Sequence, residues 1–163
     1  MNISILHTGT VSHIYGKLEQ IVAMIKKSNV VIPRNSMCEI SHHYGIDKYN
    51  ETGLAMISVV NREYCKKILV LLPCQSHPVH LHKKKEETFV VLYGDLTVRL
   101  DGETRIMGSG DTLTVERGVG HSFSTENGCV FEEISTTHYA DDSYYEDADG
   151  FVSPRKTTVY ITE

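Results

Sequence analysis

"HPVHLHKKKEETFVVLYG", residues 77–94, joins a histidine-rich segment to an apolar run that ends in glycine. Three of the nine histidines of the chain fall in its first six positions. His80 and His82 are two residues apart, so on a β-strand both imidazoles project from the same face. Two neutral imidazoles placed in this way can bind one metal ion. The segment therefore predicts a strand that carries half of a metal site.

We expect the residues around this pair to differ in whether they face the metal. His77 stands at an odd offset from both histidines and Pro78 interrupts the strand, so we expect His77 to face elsewhere. The lysines at 83–85 suit a solvated turn. A second strand then begins near Glu86, and either Glu86 or Glu87 can face the metal.

A fourth candidate ligand lies in "GDTLTVERGVGHSFS", residues 110–124. His121 follows an alternating strand, residues 112–115, and three glycines, so a turn there can fold its ring back into a barrel. Two histidines, a carboxylate and a distant histidine form a ligand set typical of Mn, Fe, Co, Ni or Zn, with coordination positions left open for water or substrate.

Short runs rich in Val, Ile, Leu, Tyr and Thr fill most of the chain from residue 54 onward, and they predict an all-β barrel or sandwich. Leu96 and Val98 would share one face of a hairpin over residues 95–107 that turns at Asp101 and Gly102. Residues 139–150 are acidic enough to form a solvated loop. The runs are "LAMISVVN", "KKILVLLP", "ETFVVLYG", "LTVRL", "ETRIM", "DTLTVE", "CVFEEIS" and "TTVYIT".

One amphipathic helix is predicted near the N-terminus. In "GKLEQIVAMIKKSN", residues 16–29, apolar residues recur at steps of three and four, and two lysines fall in the last turn, where they suit the helix dipole. At 163 residues the chain has the size of one domain. We expect a helical extension over residues 1–45, packed on a barrel over residues 46–163.

Composition excludes several classes of protein. A formal net charge of -5 lacks the basic excess that nucleic-acid binding requires. No apolar run approaches the roughly 20 residues that cross a bilayer. The start of the chain shows no leader pattern, and its four cysteines form no C-x-x-C pair. The sequence therefore predicts a cytoplasmic protein with reduced thiols and no nucleic-acid or membrane partner.

The first histidine segment resembles a motif of the cupin superfamily. That motif is written G-x5-H-x-H-x3or4-E-x6-G, and His80, His82, Glu87 and Gly94 fall on its later positions. The six-residue step to Gly94 selects Glu87 over Glu86.

The second segment resembles the other cupin motif, G-x5-P-x-G-x2-H-x3-N, at Gly110, Gly118 and His121. The resemblance implies a double-stranded β-helix, or jelly roll, whose open end holds one divalent metal ion per chain. The ligands would be His80, His82, Glu87 and His121. The two motifs are broken at three positions, none of them a ligand, and these are Cys74, Glu116 and Thr125.

Further stretches resemble cupin modules found with sialic acid synthase-like enzymes and, more loosely, the metal-dependent D-lyxose isomerases. They are "ISHHYG", "NREYCKK", "HKKKEETFVVLYGDLTV" and "EEISTTHYADDSYYED". The resemblance implies an aldose–ketose isomerase that acts on a free or modified sugar in carbohydrate or surface-polysaccharide metabolism. Replacing His82 by alanine would then remove nearly all activity.

The candidate catalytic residues lie near these motifs. Glu132 and Glu133 follow each other on an alternating strand, so one of them points inward and can act as general base. A lysine of the turn, with Lys84 and Lys85 as candidates, or a histidine of the pair His42 and His43, would carry the proton between the sugar oxygens.

Two other functions remain open, a metal-dependent dioxygenase and a non-catalytic module that binds metal and sugar. A fourth reading, a sugar isomerase or epimerase without metal, disagrees with the complete ligand set. We also expect a homodimer, because single cupin domains leave sheet edges that pair with a second copy, and "KTTVYITE" at residues 156–163 is a candidate strand for this contact.

Overall fold

The described residues fold into a curled antiparallel sheet of twelve strands with one α-helix. The computed structural model describes residues 2–4 and 11–162, so the expectation that the chain starts with no leader falls largely outside the described residues. The strand order is β1-β12-β2-β3-β4-β10-β6-β9-β5-β11, and β7 and β8 both pair with β6. This architecture confirms the predicted all-β jelly roll with a single N-terminal helix.

The helix and strands are bounded as follows. They are β1 Asn2–Ser4, α1 Val11–Ser28, β2 Ser36–Ser41, β3 Leu54–Asn61, β4 Tyr64–Leu71, β5 Ser76–Leu81, β6 Glu87–Leu100, β7 Glu103–Gly108, β8 Thr112–Val115, β9 His121–Ser124, β10 Cys129–Thr136, β11 Tyr144–Tyr145 and β12 Lys156–Thr162. A single turn of 3-10 helix, Ile46–Lys48, precedes β3.

The predicted hairpin is confirmed. Strands β6 and β7 pair down to Leu100 and Glu103, so the connection consists of Asp101 and Gly102 alone. Both residues have positive φ, 48° and 82°, as a type I′ turn requires. The predicted run at residues 54–61 also coincides with β3.

Strand β2 was not predicted from the sequence. Its Ser36, Glu39 and Ser41 interrupt the apolar pattern that marks the other strands, yet it pairs with β12 on one side and β3 on the other. Helix α1 also begins at Val11, five residues before the predicted start at residue 16. The domain boundary at residue 45 stays a prediction, and β2, which precedes it, belongs to the sheet.

Two apolar clusters lie on opposite sides of the sheet. One joins α1 to the outer faces of the strands through Leu18, Ile21 and Ile25. The other fills the barrel interior with residues such as Phe89, Phe123 and Phe131, whose rings meet edge to face. No helix in the described part of the chain is both long and apolar enough to span a membrane.

Two residues that depart from the cupin motifs, Cys74 and Thr125, still support the turns in which they lie. Cys74 stands where the first motif has glycine and adopts a φ of 64°, the left-handed conformation that favours glycine. Thr125 stands where the second motif has asparagine. Its hydroxyl donates to Asp95 Oδ2 at 3.1 Å and accepts the Gly128 N–H at 3.0 Å. A threonine side chain therefore braces this turn.

Candidate active site

Four side chains from three parts of the sheet converge inside the barrel. His80 lies on β5, His82 directly follows β5, Glu87 begins β6 and His121 begins β9. One potential ligand atom from each of them lies within 4.8 Å of the others. All four are at least 95% buried. Pairing of β5 with β9 places His80 opposite His121, so strand register brings the two distant motifs together.

Backbone carbonyls orient the three imidazoles of this quartet. Nδ1 of His80 lies 3.0 Å from the Pro78 carbonyl, Nδ1 of His82 2.6 Å from that of Asp142, and Nδ1 of His121 3.1 Å from that of Val119. A carbonyl oxygen only accepts, so each Nδ1 carries the proton and each Nε2 keeps its lone pair. This arrangement is typical of metal-binding histidines.

The charges of the quartet suit a metal site. Burial lowers the pKa of His80 to about 3, and burial followed by the charge of Lys85 lowers the pKa of His82. Burial alone would raise the pKa of Glu87, but the charge of Lys85 outweighs it and holds that pKa well below its usual value. Neutral imidazoles and an ionised carboxylate are the forms that bind a metal ion.

One contact in the quartet tests directly whether a cation fits. His121 Nε2 lies 2.8 Å from Glu87 Oε1, yet this buried nitrogen makes no hydrogen bond, because its proton sits on Nδ1. Two buried acceptors in contact repel each other unless they share a positive ion. The donor set and this contact therefore fit a divalent cation held by nitrogen and oxygen ligands.

Three members of the quartet, His80, His82 and Glu87, line a cavity of about 310 Å³, within the range of small-molecule sites. Its other polar lining residues include Ser41, His43, Lys67, Lys85, Glu133, His138, Tyr145 and Arg155.

The two glutamates of β10 face opposite sides of the sheet. Glu133 is buried and lines the cavity, where its Oε1 accepts hydrogen bonds from Lys85 Nζ at 2.8 Å and Lys67 Nζ at 3.3 Å. Glu132 lies outside the cavity and pairs with Lys66 at 2.6 Å. The structure therefore brings Glu133, and not Glu132, to the predicted site.

The two candidate lysines also diverge. Lys85 is buried and its ammonium group bridges Glu87 and Glu133. Lys84 is exposed and pairs with Asp141 on the surface. Of the two lysines, only Lys85 lies in the cavity.

Asp142 holds the turn formed by the lysines at residues 83–85. Its buried carboxylate accepts the backbone N–H groups of residues 83–85 at 3.0 to 3.1 Å. Burial alone would raise the pKa of Asp142, but these hydrogen bonds outweigh it and lower the pKa. The acidic segment at 139–150 is thus not simply a solvated loop, because it contributes this buried anchor and the cavity residue Tyr145.

A chain of alternating charges leads away from the quartet, from Glu87 through Lys85, Glu133 and Lys67 to His138. Lys67 Nζ lies 3.2 Å from His138 Nδ1. Burial, then Lys67 and Lys85, lower the pKa of His138 to about 4. Burial alone would raise the pKa of Glu133, but the two lysines outweigh it and lower that pKa. Sequence reasoning missed Lys67 and His138, although the alternation of Cys65, Lys67 and Leu69 on β4 places Lys67 on the inward face.

His77 contradicts the expectation that it faces elsewhere. Its ring lies 4.9 Å from that of His80 and stacks on Phe123, inside the cavity wall. The reason is an irregularity in the pairing of β5 with β9 between His77 and His80. This irregularity interrupts the alternation of the strand, so His77 and His80 point to the same side although they are three residues apart.

The pair His42 and His43 is split between two environments. His43 lines the cavity, where its Nε2 hydrogen bonds with the Tyr145 hydroxyl at 2.8 Å. His42 hydrogen bonds with Thr157 at 3.0 Å and is not among the cavity residues that the structure describes.

Comparison with known proteins identifies a matching family model and two isomerases of similar sequence. Residues 67–131 match the family model described as Cupin domain. The D-lyxose/D-mannose isomerase of Thermosediminibacter oceani is 28% identical over 167 residues, covering 84% of this chain and 89% of that protein. The D-lyxose ketol-isomerase of Cohnella laeviribosi is 22% identical over 149 residues, covering 73% of this chain and 82% of that protein.

Solved structures agree with this chain at the level of fold. The DMSP lyase DddQ of Ruegeria pomeroyi superposes with a TM-score of 0.54 at 16% identity, over 60% of this chain and 53% of that one. KdgF of Halomonas sp. superposes with a TM-score of 0.51 at 17% identity, over 54% of this chain and 82% of that one. The Cupin domain match over residues 67–131, together with the two motifs and the jelly roll, confirms the resemblance of this chain to the cupin superfamily.

Proposed function

We propose that this chain is a metal-dependent aldose–ketose isomerase that acts on a free or modified sugar in carbohydrate or surface-polysaccharide metabolism. The observation that carries the proposal is one cavity lined both by three members of the quartet, His80, His82 and Glu87, and by the Lys85–Glu133 pair. The named activities of the two isomerase relatives support the same reaction class.

The quartet would hold one divalent ion per chain, with Mn, Zn, Fe, Co and Ni all compatible with imidazole and carboxylate donors. When bound, such an ion polarises carbonyl and hydroxyl oxygens and stabilises negative charge that develops on them.

Glu133 has the properties of the general base. It is buried in the cavity wall, and the lowered pKa that Lys67 and Lys85 impose keeps it ionised at neutral pH. An ionised carboxylate next to the sugar can remove the proton on the carbon beside the carbonyl and return it to the neighbouring carbon.

The proton must also move between the two sugar oxygens. Lys85 supplies a charged donor beside Glu133, because its two carboxylate neighbours outweigh the effect of burial and raise its pKa. His43 is the other candidate, since burial lowers its pKa to about 4 and leaves a neutral ring that can accept and release a proton.

The test is exchange of the C2 proton of D-lyxose or D-mannose with deuterated water, followed by NMR, in protein loaded with Mn²⁺. We expect exchange and ketose formation in the parent protein and in Glu132→Gln. Glu133→Gln should lose about 10²- to 10⁴-fold in rate, the usual contribution of a general base.

Two other results would contradict the proposal. Sugar binding without exchange in the parent protein would indicate a non-catalytic binding module. Oxygen consumption coupled to turnover would indicate a dioxygenase.

A further inference from the structure

We infer that Arg155 binds an anionic substituent of the substrate, so that the preferred sugar is a sugar acid or a sugar phosphate. This inference rests on the proposed function in one respect only, that the sugar occupies the cavity around the quartet.

Arg155 lines the same cavity as three members of the quartet. Its Cζ stands 5.4 Å from the centre of the Tyr145 ring and 5.8 Å from that of Phe151. The Tyr145 ring in turn stacks on the His80 ring, with the centres 5.5 Å apart. The Tyr145 ring therefore neighbours both the guanidinium and a candidate metal ligand.

Arg155 also differs from the other cavity cations in its partners. Lys85 contacts Glu87 and Glu133, Lys67 pairs with Glu133, and Lys156 pairs with Glu39 at 3.0 Å. Among the residues that the structure describes, no carboxylate pairs with Arg155. Its charge is the one in the cavity wall that a ligand would neutralise.

The balance of charge in the cavity favours an anion as well. The lining residues include four cations and three carboxylates, whereas the whole chain has a net charge of -5. His43 experiences this field, because burial, followed by the charge of Arg155, lowers its pKa to about 4. A concave site with an excess of positive charge attracts anionic ligands, even when the chain as a whole is negatively charged.

The geometry of a guanidinium determines which anions fit. The guanidinium lies over the Tyr145 and Phe151 rings, and its N–H groups are the part that can form hydrogen bonds with a ligand. These groups form paired hydrogen bonds with carboxylate or phosphate oxygens. Both groups occur at the end of sugar chains remote from the carbonyl.

Three sugars that differ only at carbon 6 provide the test: D-mannose, D-mannuronate and D-mannose 6-phosphate. Their binding to the Mn²⁺-loaded protein is measured by calorimetry at two salt concentrations. We expect at least one anionic sugar to bind about tenfold or more tightly than D-mannose. Added salt should weaken only the anionic sugars.

Two variants locate the effect. In Arg155→Met, the affinity for the anionic sugar should fall to within about threefold of the affinity for D-mannose, because the charged hydrogen bonds to the guanidinium are lost. Arg105→Met is the matched control, because Arg105 is exposed on β7 and does not line the cavity. The control should keep the preference of the parent protein. The tighter of the two anionic sugars identifies the substituent as carboxylate or phosphate.

The inference is overturned if neither anionic sugar binds more tightly than D-mannose, or if Arg155→Met retains the preference. Proton exchange with D-mannose in such a protein would leave the proposed isomerase intact. Conversely, an Arg155-dependent preference without proton exchange on any of the three sugars would sustain the anion site and refute the isomerase.

Discussion

At the scale of single residues, neighbouring side chains of the same type have different roles. Lys84 and Lys85 follow each other in sequence, but Lys84 pairs at the surface while Lys85 bridges two buried carboxylates. Glu132 and Glu133 divide in the same way across β10. The chain thus contains two internal controls for the chemistry of its cavity.

Lys85→Met should strongly destabilise the protein. The substitution leaves the carboxylates of Glu87 and Glu133 buried beside each other without the cation between them. Removal of one partner of a buried ion pair costs about 3–5 kcal/mol, and we expect a loss of that size in the free energy of unfolding measured with urea.

The matched control is Lys84→Met, which should unfold at the same urea concentration as the parent protein. Equal effects of the two substitutions, measured without added metal, would contradict the buried bridge.

Sequence reasoning narrowed the site to a few residues but did not choose among them. Alternation shows that one of Glu132 and Glu133 faces inward, but the strand's rotation relative to the barrel is set by pairing with β4 and β6. For His77 the alternation itself failed, because the register changes between His77 and His80. Both outcomes depend on contacts between strands that are distant in sequence.

At the scale of elements, Gly94 within β6 and Gly102 in the β6–β7 turn show two reasons why a position requires glycine. Gly94 has a φ of 84°, and a Cβ atom there would overlap the carbonyl oxygen of Gly128. Gly102 in the β6–β7 hairpin has a similar φ of 82°, but a Cβ atom would meet no neighbour within 4 Å. The two positions share the backbone requirement and differ only in the close approach.

Alanine substitutions at these two glycines should differ in cost. Gly102→Ala should lower the free energy of unfolding by about 1–2 kcal/mol, the price of left-handed backbone for a residue with a Cβ. Gly94→Ala should cost more, because the overlap with backbone is added to the same strain. Thermal unfolding of both variants checks this order, and equal melting temperatures would refute the close contact at Gly94.

The elements with strong local patterns were predicted well. Strand β3, the β6–β7 hairpin and most of α1 follow from alternation, turn residues and helical spacing. Strand β2 was missed because its identity depends on β3 and β12 beside it and not on its own residues.

At the scale of the whole molecule, the sheet separates a supporting core from the barrel that contains the site. Ile21 on α1 is buried in the outer cluster, whereas the quartet lies on the other side of the sheet. Stability and site chemistry should therefore respond to different substitutions.

Ile21→Ala should destabilise the protein without altering the site. A buried isoleucine replaced by alanine costs about 2–5 kcal/mol, which urea unfolding would register. The metal content of the folded variant should equal that of the parent protein. A loss of metal at temperatures where the variant is folded would contradict the separation of the two clusters.

The expected homodimer stays a prediction, and the structure narrows where a second copy can dock. Strand β12 pairs with β2 along Lys156–Ile161 and with β1 at its end, so the chain itself covers part of that edge. Sedimentation of the full chain would measure the oligomeric state.

The central claim is that His80, His82, Glu87 and His121 bind one divalent cation together. The most direct test is elemental analysis of protein dialysed against Mn²⁺ or Zn²⁺, with His82→Ala as the test variant and His138→Ala, also in the cavity wall, as its control. We predict about one ion per chain in the parent protein and in His138→Ala, and a tenfold or greater loss of affinity in His82→Ala. A parent protein that binds no ion, or two variants that bind equally well, would contradict the claim.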